Sequence, residues 1–419
     1  MADKWTKYKL SDITTKLGDG LHGTPKYDDS GEYYFVNGNN LDNGKIIIKS
    51  DTKKVNYSEF EKYKKELNDR TILISINGTL GNLAYYNNEK IILGKSACYF
   101  NLKESFSKDF VRYVMSTKNF KLFLENFATG ATIKNVSLET MRNFEFEAPK
   151  KELQDKIAKI LSNYDDLIEN NNKRIKILEE MAQKIYKEWF IDFKFPNHEA
   201  ATFKDSELGK IPSDWEISTL ENILSDIESG SRPKGGINPN DKEIPSIGAE
   251  NILGLGKYDY NKEKYVSNDF YEKMKKGKVK DLDVLLYKDG AQLGRKSIFG
   301  ENFPHSKCCI NEHVFILRTN PKCSPYYLYF TLDTIENTER IKQLNTNAAQ
   351  PGINQEQVKG LTIILPLKKY IEKFDNVVKP IVSQIFKLCI KNQTFKQTRE
   401  LLLPRLISGE IDVENLNIL

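Results

Sequence analysis

The side chains best placed for chemistry are polar groups in glycine-rich loops, and their chemistry is recognition. Lys and Arg bind phosphates and guanine edges, while Asn and Gln match adenine edges. In the first half of the chain such groups are His22, Lys26, Asn37, Asn39, Asn77, Asn82, Thr132, Lys134 and Asn135. In the second half they are Arg232, Lys234, Glu250, Lys288, Gln292, Arg295, Asn347 and Gln350. Any one of them could instead cap its own turn, as short polar side chains do. Asn40 and Asn251 match between the halves and are read as structural, because a residue common to two different readers is a poor carrier of specificity.

Bond-breaking constellations are missing. An amino-methyltransferase needs a Pro-Pro loop to hold the flipped base, and the chain has no Pro-Pro dipeptide. Gly94-Lys95-Ser96 ends like a phosphate-binding loop, but Glu89 stands where its first glycine belongs. Of the four histidines (His22, His198, His305, His313), only His305 has ligand-like spacing, to Cys308, and no second pair completes a zinc site. Asp165-Asp166 and Glu179-Glu180 fall on a long helix and read as its solvated face. The expectation is a non-catalytic chain with no metal and no cofactor of its own.

What positions the loops is an internal repeat. Trp5 and Leu10 answer to Trp215 and Leu220, Ile13 to Ile223, and Gly20 to Gly230, all at an offset of 210. Thr24-Pro25-Lys26 faces Arg232-Pro233-Lys234 at an offset of 208, and Thr132 to Pro149 faces Ala349 to Pro366 at 217. The run from Leu73 to Gly81 parallels that from Leu285 to Gly294, each an apolar strand entering a glycine turn. Phe144-Glu145-Phe146 and Leu361-Thr362-Ile363 alternate before a proline, which predicts a strand in each half. A period this long means duplicated domains, well beyond the repeats of solenoids.

Each half ends in a segment with heptad spacing. The first seam is Ile157, Tyr164, Asn171, Leu178 and Ile185 with Leu161, Ile168, Ile175, Ala182 and Trp189. The second is Phe374, Ile381, Leu388, Phe395 and Leu402 with Val378, Ile385, Asn392, Arg399 and Leu406. Pro380 predicts a kink or a late start. One buried polar residue per seam fixes register in coiled coils. Setting Asn171 opposite Asn392 pairs the helices antiparallel, Ile157 with Leu406 at one end and Trp189 with Phe374 at the other. Tyr164 then faces Arg399, and the pairing carries a pseudo-two-fold.

The expected fold class is α/β (α+β), with two tandem homologous domains each followed by a long helix. The boundaries are a first recognition domain over 1–150, a central helix over 151–193 and a linker over 194–214. A second domain follows over 215–367, then a C-terminal helix over 368–408 and a tail over 409–419. With 63 Lys and Arg against 58 Asp and Glu, the net charge of +5 permits nucleic-acid binding without arguing for it. Cys98, Cys308, Cys309, Cys323 and Cys389 are odd in number and lack C-x-x-C spacing, which reads as reduced, buried thiols. No run approaches the roughly 18 apolar residues of a membrane span, and the first residues carry no apolar leader. The cytoplasm is the expected location.

The order of a globular region, a helix ending Lys184 to Phe193, a second region entered through Leu208-Gly209-Lys210-Ile211-Pro212 and Trp215, and a helix ending Leu402 to Ile411 resembles Type I restriction-modification specificity subunits. The resemblance spans essentially the whole chain. It implies two target-recognition domains, each reading one half of an asymmetric, gapped double-stranded DNA target. It implies two methyltransferase subunits docked on the helices and two restriction-translocase subunits beyond them. S-adenosylmethionine, ATP and magnesium would belong to those partners. The docking residues would be those of the seam: Ile157, Leu161, Ile168, Asn171, Ile175, Leu178, Ile185, Trp189, Ile381, Ile385, Leu388, Asn392, Phe395, Leu402 and Leu406. A specificity subunit for a fused methyltransferase-nuclease would look the same, and a coiled-coil scaffold that binds only proteins would share the seam.

Overall fold

In the computed structural model, residues 5–42, 44–237, 240–345 and 352–416 are described. The chain divides into two compact units, one of Met1–Asp166 with Lys396–Leu419 and the other of Leu167–Phe395.

The first unit is built on three main groups of strands, beside a small antiparallel pair of Leu41–Asp42 with Lys45–Ile46. Strands β1 (Thr6–Lys9), β2 (Thr14–Asp19), β3 (Tyr33–Val36), β4 (Lys54–Val55) and β5 (Thr71–Ser75) are followed by β6 (Leu83–Tyr85), β7 (Ile91–Leu93), β8 (Ala97–Leu102) and β9 (Glu145–Ala148). A four-stranded antiparallel sheet runs β2-β8-β5-β6, a three-stranded sheet runs β4-β3-β7, and β1 pairs with β9. The central strands β5 and β8 are buried at every position, including the polar Thr71, Ser75 and Asn101. In β9 burial alternates residue by residue, which is the strand that the Phe144-Glu145-Phe146 pattern predicts.

Two long helices complete the core, α1 (Lys151–Tyr186) and α2 (Lys368–Ile407). In this unit Ile157, Leu161 and Leu406 are almost fully buried and join Phe110, Met141 and Phe146 in one cluster, with Leu402 packed against it. Each such side chain contributes roughly 1.5–3 kcal/mol when removed from water. The helices are thus part of the domain core, and the compact units divide within α1 and α2 instead of at their ends. In the segment read as a tail, Val413 is buried in the same cluster.

The second unit repeats these three main groups of strands. It contains β10 (Glu216–Thr219), β11 (Leu224–Ser229), β12 (Ile244–Ile247), β13 (Lys264–Val266), β14 (Val284–Tyr287), β15 (Lys296–Ile298), β16 (Cys309–Ile310), β17 (Val314–Thr319) and β18 (Thr362–Leu365). The four-stranded sheet is β11-β17-β14-β15, the three-stranded sheet β13-β12-β16, and β10 pairs with β18. A parallel strand pairing also recurs, β3 with β7 and β12 with β16.

In the second unit the seam pairs as the heptads predict. Asn171 Nδ2 donates to Asn392 Oδ1 over 2.8 Å. Trp189 meets Phe374 with ring centroids 6.3 Å apart. Ile175, Ala182, Phe374, Val378, Ile385 and Leu388 are buried in the unit core, with Leu178, Ile185 and Ile381 packed on it. Ile168 is buried and Phe395 half-buried. Gly256, at φ +67°, lies over these helices so closely that a Cβ would come within 2.5 Å of Ile385 Cγ2. Only glycine fits that position.

Several local expectations need correction. The α-helix ends at Tyr186, and Trp189 sits in a following π-helical turn, Lys187–Ile191. The segment read as a linker holds a hairpin, Phe203–Ser206 paired with Gly209–Pro212, and its Phe195 is buried. The packing of Phe195 on Trp215 (5.0 Å) and Tyr370 (4.5 Å) draws that segment into the domain. Helix α2 begins at Lys368 and continues through Pro380, so there is no late start. All five cysteines are buried thiols. Among the described residues no helix is long and apolar enough to cross a membrane.

Candidate nucleic-acid interface

The predicted loops converge on the turn between β7 and β8. Gly20 abuts this turn so tightly that a Cβ would lie 2.1 Å from the Leu93 carbonyl, and Gly230 stands against Ile310 at 2.0 Å in the second unit. The close approach explains both glycines and aligns 93–97 with 310–314. Lys95 N donates to Leu21 O at 2.9 Å, which places the turn beside His22. Ser96 Oγ accepts from Gly38 N at 2.8 Å and donates to Asn37 Oδ1 at 3.0 Å. Ile76 N donates to Ser96 O at 3.0 Å and Val136 N to Ile76 O at 2.8 Å. Asn77 Nδ2 reaches Asn135 Oδ1 at 3.2 Å, and Gly78 N donates to Lys134 O at 2.9 Å. Four loops distant in sequence thus share one surface.

His22, Lys95 and Lys134 are exposed on it, and Asn37, Asn77 and Asn135 are half-buried beneath. His22 Nε2 lies 2.6 Å from Asp19 Oδ2. Lys26, Asn39 and Thr132 are exposed on the same loops, with the Lys26 main chain held by Glu59 Oε2 at 2.9 Å. Asn82 closes the β5–β6 turn, its N–H donating to Ser75 Oγ at 2.8 Å.

The second unit builds the same hub from different side chains. Asn311 N donates to Ile247 O at 2.9 Å, where Gly94 N donates to Val36 O at 2.8 Å in the first unit. Lys288 N donates to His313 O and Ile353 N to Lys288 O, both at 3.0 Å, as Ile76 does with Ser96 and Val136. Lys288 is therefore a main-chain hub residue, with its ammonium 4.7 Å from the Phe315 ring centroid. Arg232 is paired with Glu312 at 2.5 Å. Gln292, Arg295 and Lys234 are exposed. Glu250 is tied to Lys264 at 2.6 Å. Burial is the largest single influence and would raise its carboxyl, but the Lys264 hydrogen bond, a main-chain hydrogen bond and the Lys264 and Lys262 charges together hold it below its ordinary value. Asn347 and Gln350 lie outside the described residues.

Asn40 and Asn251 are structural in the same way. Each is buried and accepts from the backbone N–H three residues before it, Asn37 at 3.0 Å and Gly248 at 3.2 Å. Each also donates to a loop carbonyl, Ile47 at 3.0 Å and Asp259 at 3.1 Å.

Sequence reasoning missed Lys95, Ser96, Glu312 and His313, the hub residues themselves. Their signal was the 217 offset carried back from the later block. Gly94-Lys95-Ser96 drew notice only as a failed phosphate loop. It also misplaced two acids. Asp165 is not on a solvated face: it accepts from Tyr113 Oη at 2.6 Å and Arg112 Nη2 at 2.9 Å, and Arg399 Nη1 binds its other oxygen. Burial would raise the Asp165 carboxyl, but the Tyr113 and Arg399 bonds prevail and hold it below the usual carboxylate value. Glu179 is likewise engaged, by Lys257 at 2.8 Å. His305 pairs with Glu263. Among the described residues no group of three His, Cys, Asp or Glu is arranged to hold a metal ion.

Comparison with known proteins repeats this duplication. A family model described as the Type I restriction modification DNA specificity domain matches twice, over residues 2–180 and 212–400. The MjaIX Type I restriction enzyme specificity subunit of Methanocaldococcus jannaschii is 27% identical over 356 residues, covering 83% of this chain and 78% of that protein. The HindI specificity subunit of Haemophilus influenzae is 25% identical over 350 residues, covering 71% and 75%. The crystal structure of a Type I restriction-modification S subunit from M. genitalium superposes with a TM-score of 0.59 at 16% identity over 96% of both chains, which is a likeness of fold.

Proposed function

Since the chain belongs to the Type I restriction modification DNA specificity domain family, with two copies of the domain, we propose that it is the specificity subunit of a Type I restriction-modification complex, reading an asymmetric, gapped target in double-stranded DNA. The observation that carries this reading is the duplicated hub. One backbone scaffold presents Lys95 and Ser96 in the first unit and Glu312 and His313 in the second. A shared scaffold with unlike tips suits two readers of unlike words, because base edges are distinguished by side-chain donors and acceptors while main-chain and phosphate contacts position.

The chain performs no chemistry itself in this account. Two methyltransferase subunits dock along α1 and α2, and two restriction-translocase subunits join them. S-adenosylmethionine, ATP and magnesium act on those partners. This chain's residues bind and orient the duplex, and a flipped base would be received by the methyltransferase.

The test is methylation mapping in cells carrying the chain with its methyltransferase, against cells lacking only this chain. A gapped, asymmetric motif that disappears with the chain supports the reading. A motif that persists without it, or no chain-dependent motif in an active complex, overturns it in favour of a protein-binding scaffold.

A further inference from the structure

The hub of the second unit contains a connected row of ionisable side chains that the described residues of the first unit's hub lack. Arg232 Nη2 lies 2.5 Å from Glu312 Oε1. The same oxygen lies 3.2 Å from His313 Nε2, and His313 Nδ1 lies 2.7 Å from Asp289 Oδ2. By the backbone equivalences and, for Thr24, the sequence offset of 208, the corresponding residues of the first unit are Thr24, Lys95, Ser96 and Asn77, which form no such row. Glu312 Oε1 is thus shared between Arg232 and His313, and its second oxygen is buried without a partner among the described residues. The Arg232 side chain, by contrast, remains half exposed at 50%.

We propose that Arg232, held by Glu312, reads a guanine edge in the word bound by the second unit, with Glu312, His313 and Asp289 as positioning residues. The inference rests on the specificity-subunit reading and names the base chemistry of one of its sites. An arginine meant for phosphate gains from a free, mobile charge, and a carboxylate beside it repels the phosphate it would meet. An arginine meant for guanine needs its planar fork aimed at O6 and N7, which are neutral acceptors that tolerate a nearby carboxylate. The ion pair removes rotamer freedom in advance, so less is lost when the base is bound. In the first unit Lys95 occupies the position of Glu312 and is a point charge that no carboxylate among the described residues holds, which suits a phosphate contact.

The experiment uses the full chain in complex with its methyltransferase subunit. A randomised DNA library is methylated by the wild-type complex and by the Arg232→Ala, Arg232→Gln, Arg232→Lys, Glu312→Gln and Glu312→Asp complexes. The expected result is loss of preference for guanine at one position of one word, about ten- to hundredfold, in Arg232→Ala and Arg232→Gln. Arg232→Lys fails to restore it, Glu312→Gln weakens the same position, and Glu312→Asp recovers part of the loss. The other word stays unchanged. A loss that is uniform across sequences, with a shallower salt dependence, makes Arg232 a phosphate contact and overturns the proposal. So does a changed preference at a base other than guanine, or failure of both neutral variants to assemble with the methyltransferase, which makes the residue structural. A wild-type complex that yields no gapped motif defeats the specificity reading itself, a result distinct from these.

Discussion

Asn171 and Asn392 join amide to amide across α1 and α2 at 2.8 Å, and Asn392 Nδ2 also donates to Asn172 Oδ1 at 2.9 Å. Both side chains are 6% exposed. A buried amide pair costs little when both partners are present and much when one is left alone.

Asn171→Leu strands Asn392 Oδ1 and is expected to destabilise the second unit by about 1–3 kcal/mol. The double variant Asn171→Leu with Asn392→Leu is expected to recover most of that stability while loosening register. Urea unfolding of the two single variants and the double variant checks the sign. Additive losses in the double would mean that the amides do not act as a pair.

Asp165 gathers Tyr113, Arg112 and Arg399 in the first unit. Its folded carboxyl lies below the ordinary value of 3.8. A depressed carboxyl contributes stability that is fully present above the unfolded value and is lost as pH falls through the folded value. Asp165→Asn should therefore cost about 2 kcal/mol at pH 7, and the gap to wild type should start to narrow below about pH 4 and shrink further as the pH falls. Thermal melts at pH 7 and at pH 3 measure it, and an equal gap at both would refute the assignment.

Lys296 is buried at 4% exposure beside Thr338 Oγ1 at 2.5 Å and Asp333 at 3.9 Å. Burial pushes its ammonium down to about 8, against the pull of Asp333. A base with a lowered folded value penalises the fold while charged, so stability should rise with pH between about 8 and 10.5. Lys296→Met is expected to gain on the order of 2 kcal/mol at pH 7 and to flatten that rise. Denaturation midpoints from pH 7 to 10.5 provide the check.

The repeat, the paired strands and the seam were legible because each depends on local pattern. Alternation marked β9, and one asparagine per seam marked the register. The hub was less legible, because it is made by main-chain bonds among loops far apart in sequence. Nothing near Lys95 announces Leu21, Asn37 or Ile76 as neighbours. The acids on α1 were misread for the same reason: heptad position says which face Asp165 occupies, but only tertiary packing brings Tyr113 and Arg112 to it. The hairpin over 203–212 escaped because its Phe-Lys-Asp-Ser and Gly-Lys-Ile-Pro strands carry little apolar alternation.

Lys95 stands exposed at the first unit's hub. In complex with the methyltransferase, Lys95→Ala is expected to weaken binding to cognate and unrelated DNA alike, and to reduce the slope of log affinity against log salt by about one. Titrations at several salt concentrations measure the slope. Loss confined to one base position would make Lys95 a base reader instead.

The central claim is that each unit reads its own word. The most direct test replaces His22, Asn37 and Lys95 of the first unit with alanine in one variant, and Arg232 and Glu312 of the second in another, and maps the methylated motif of each assembled complex. The account predicts that the first variant relaxes only one word of a gapped target, that the second relaxes only the other, and that the spacing is unchanged in both. Both words changing together in either variant, or neither changing in both, would contradict it.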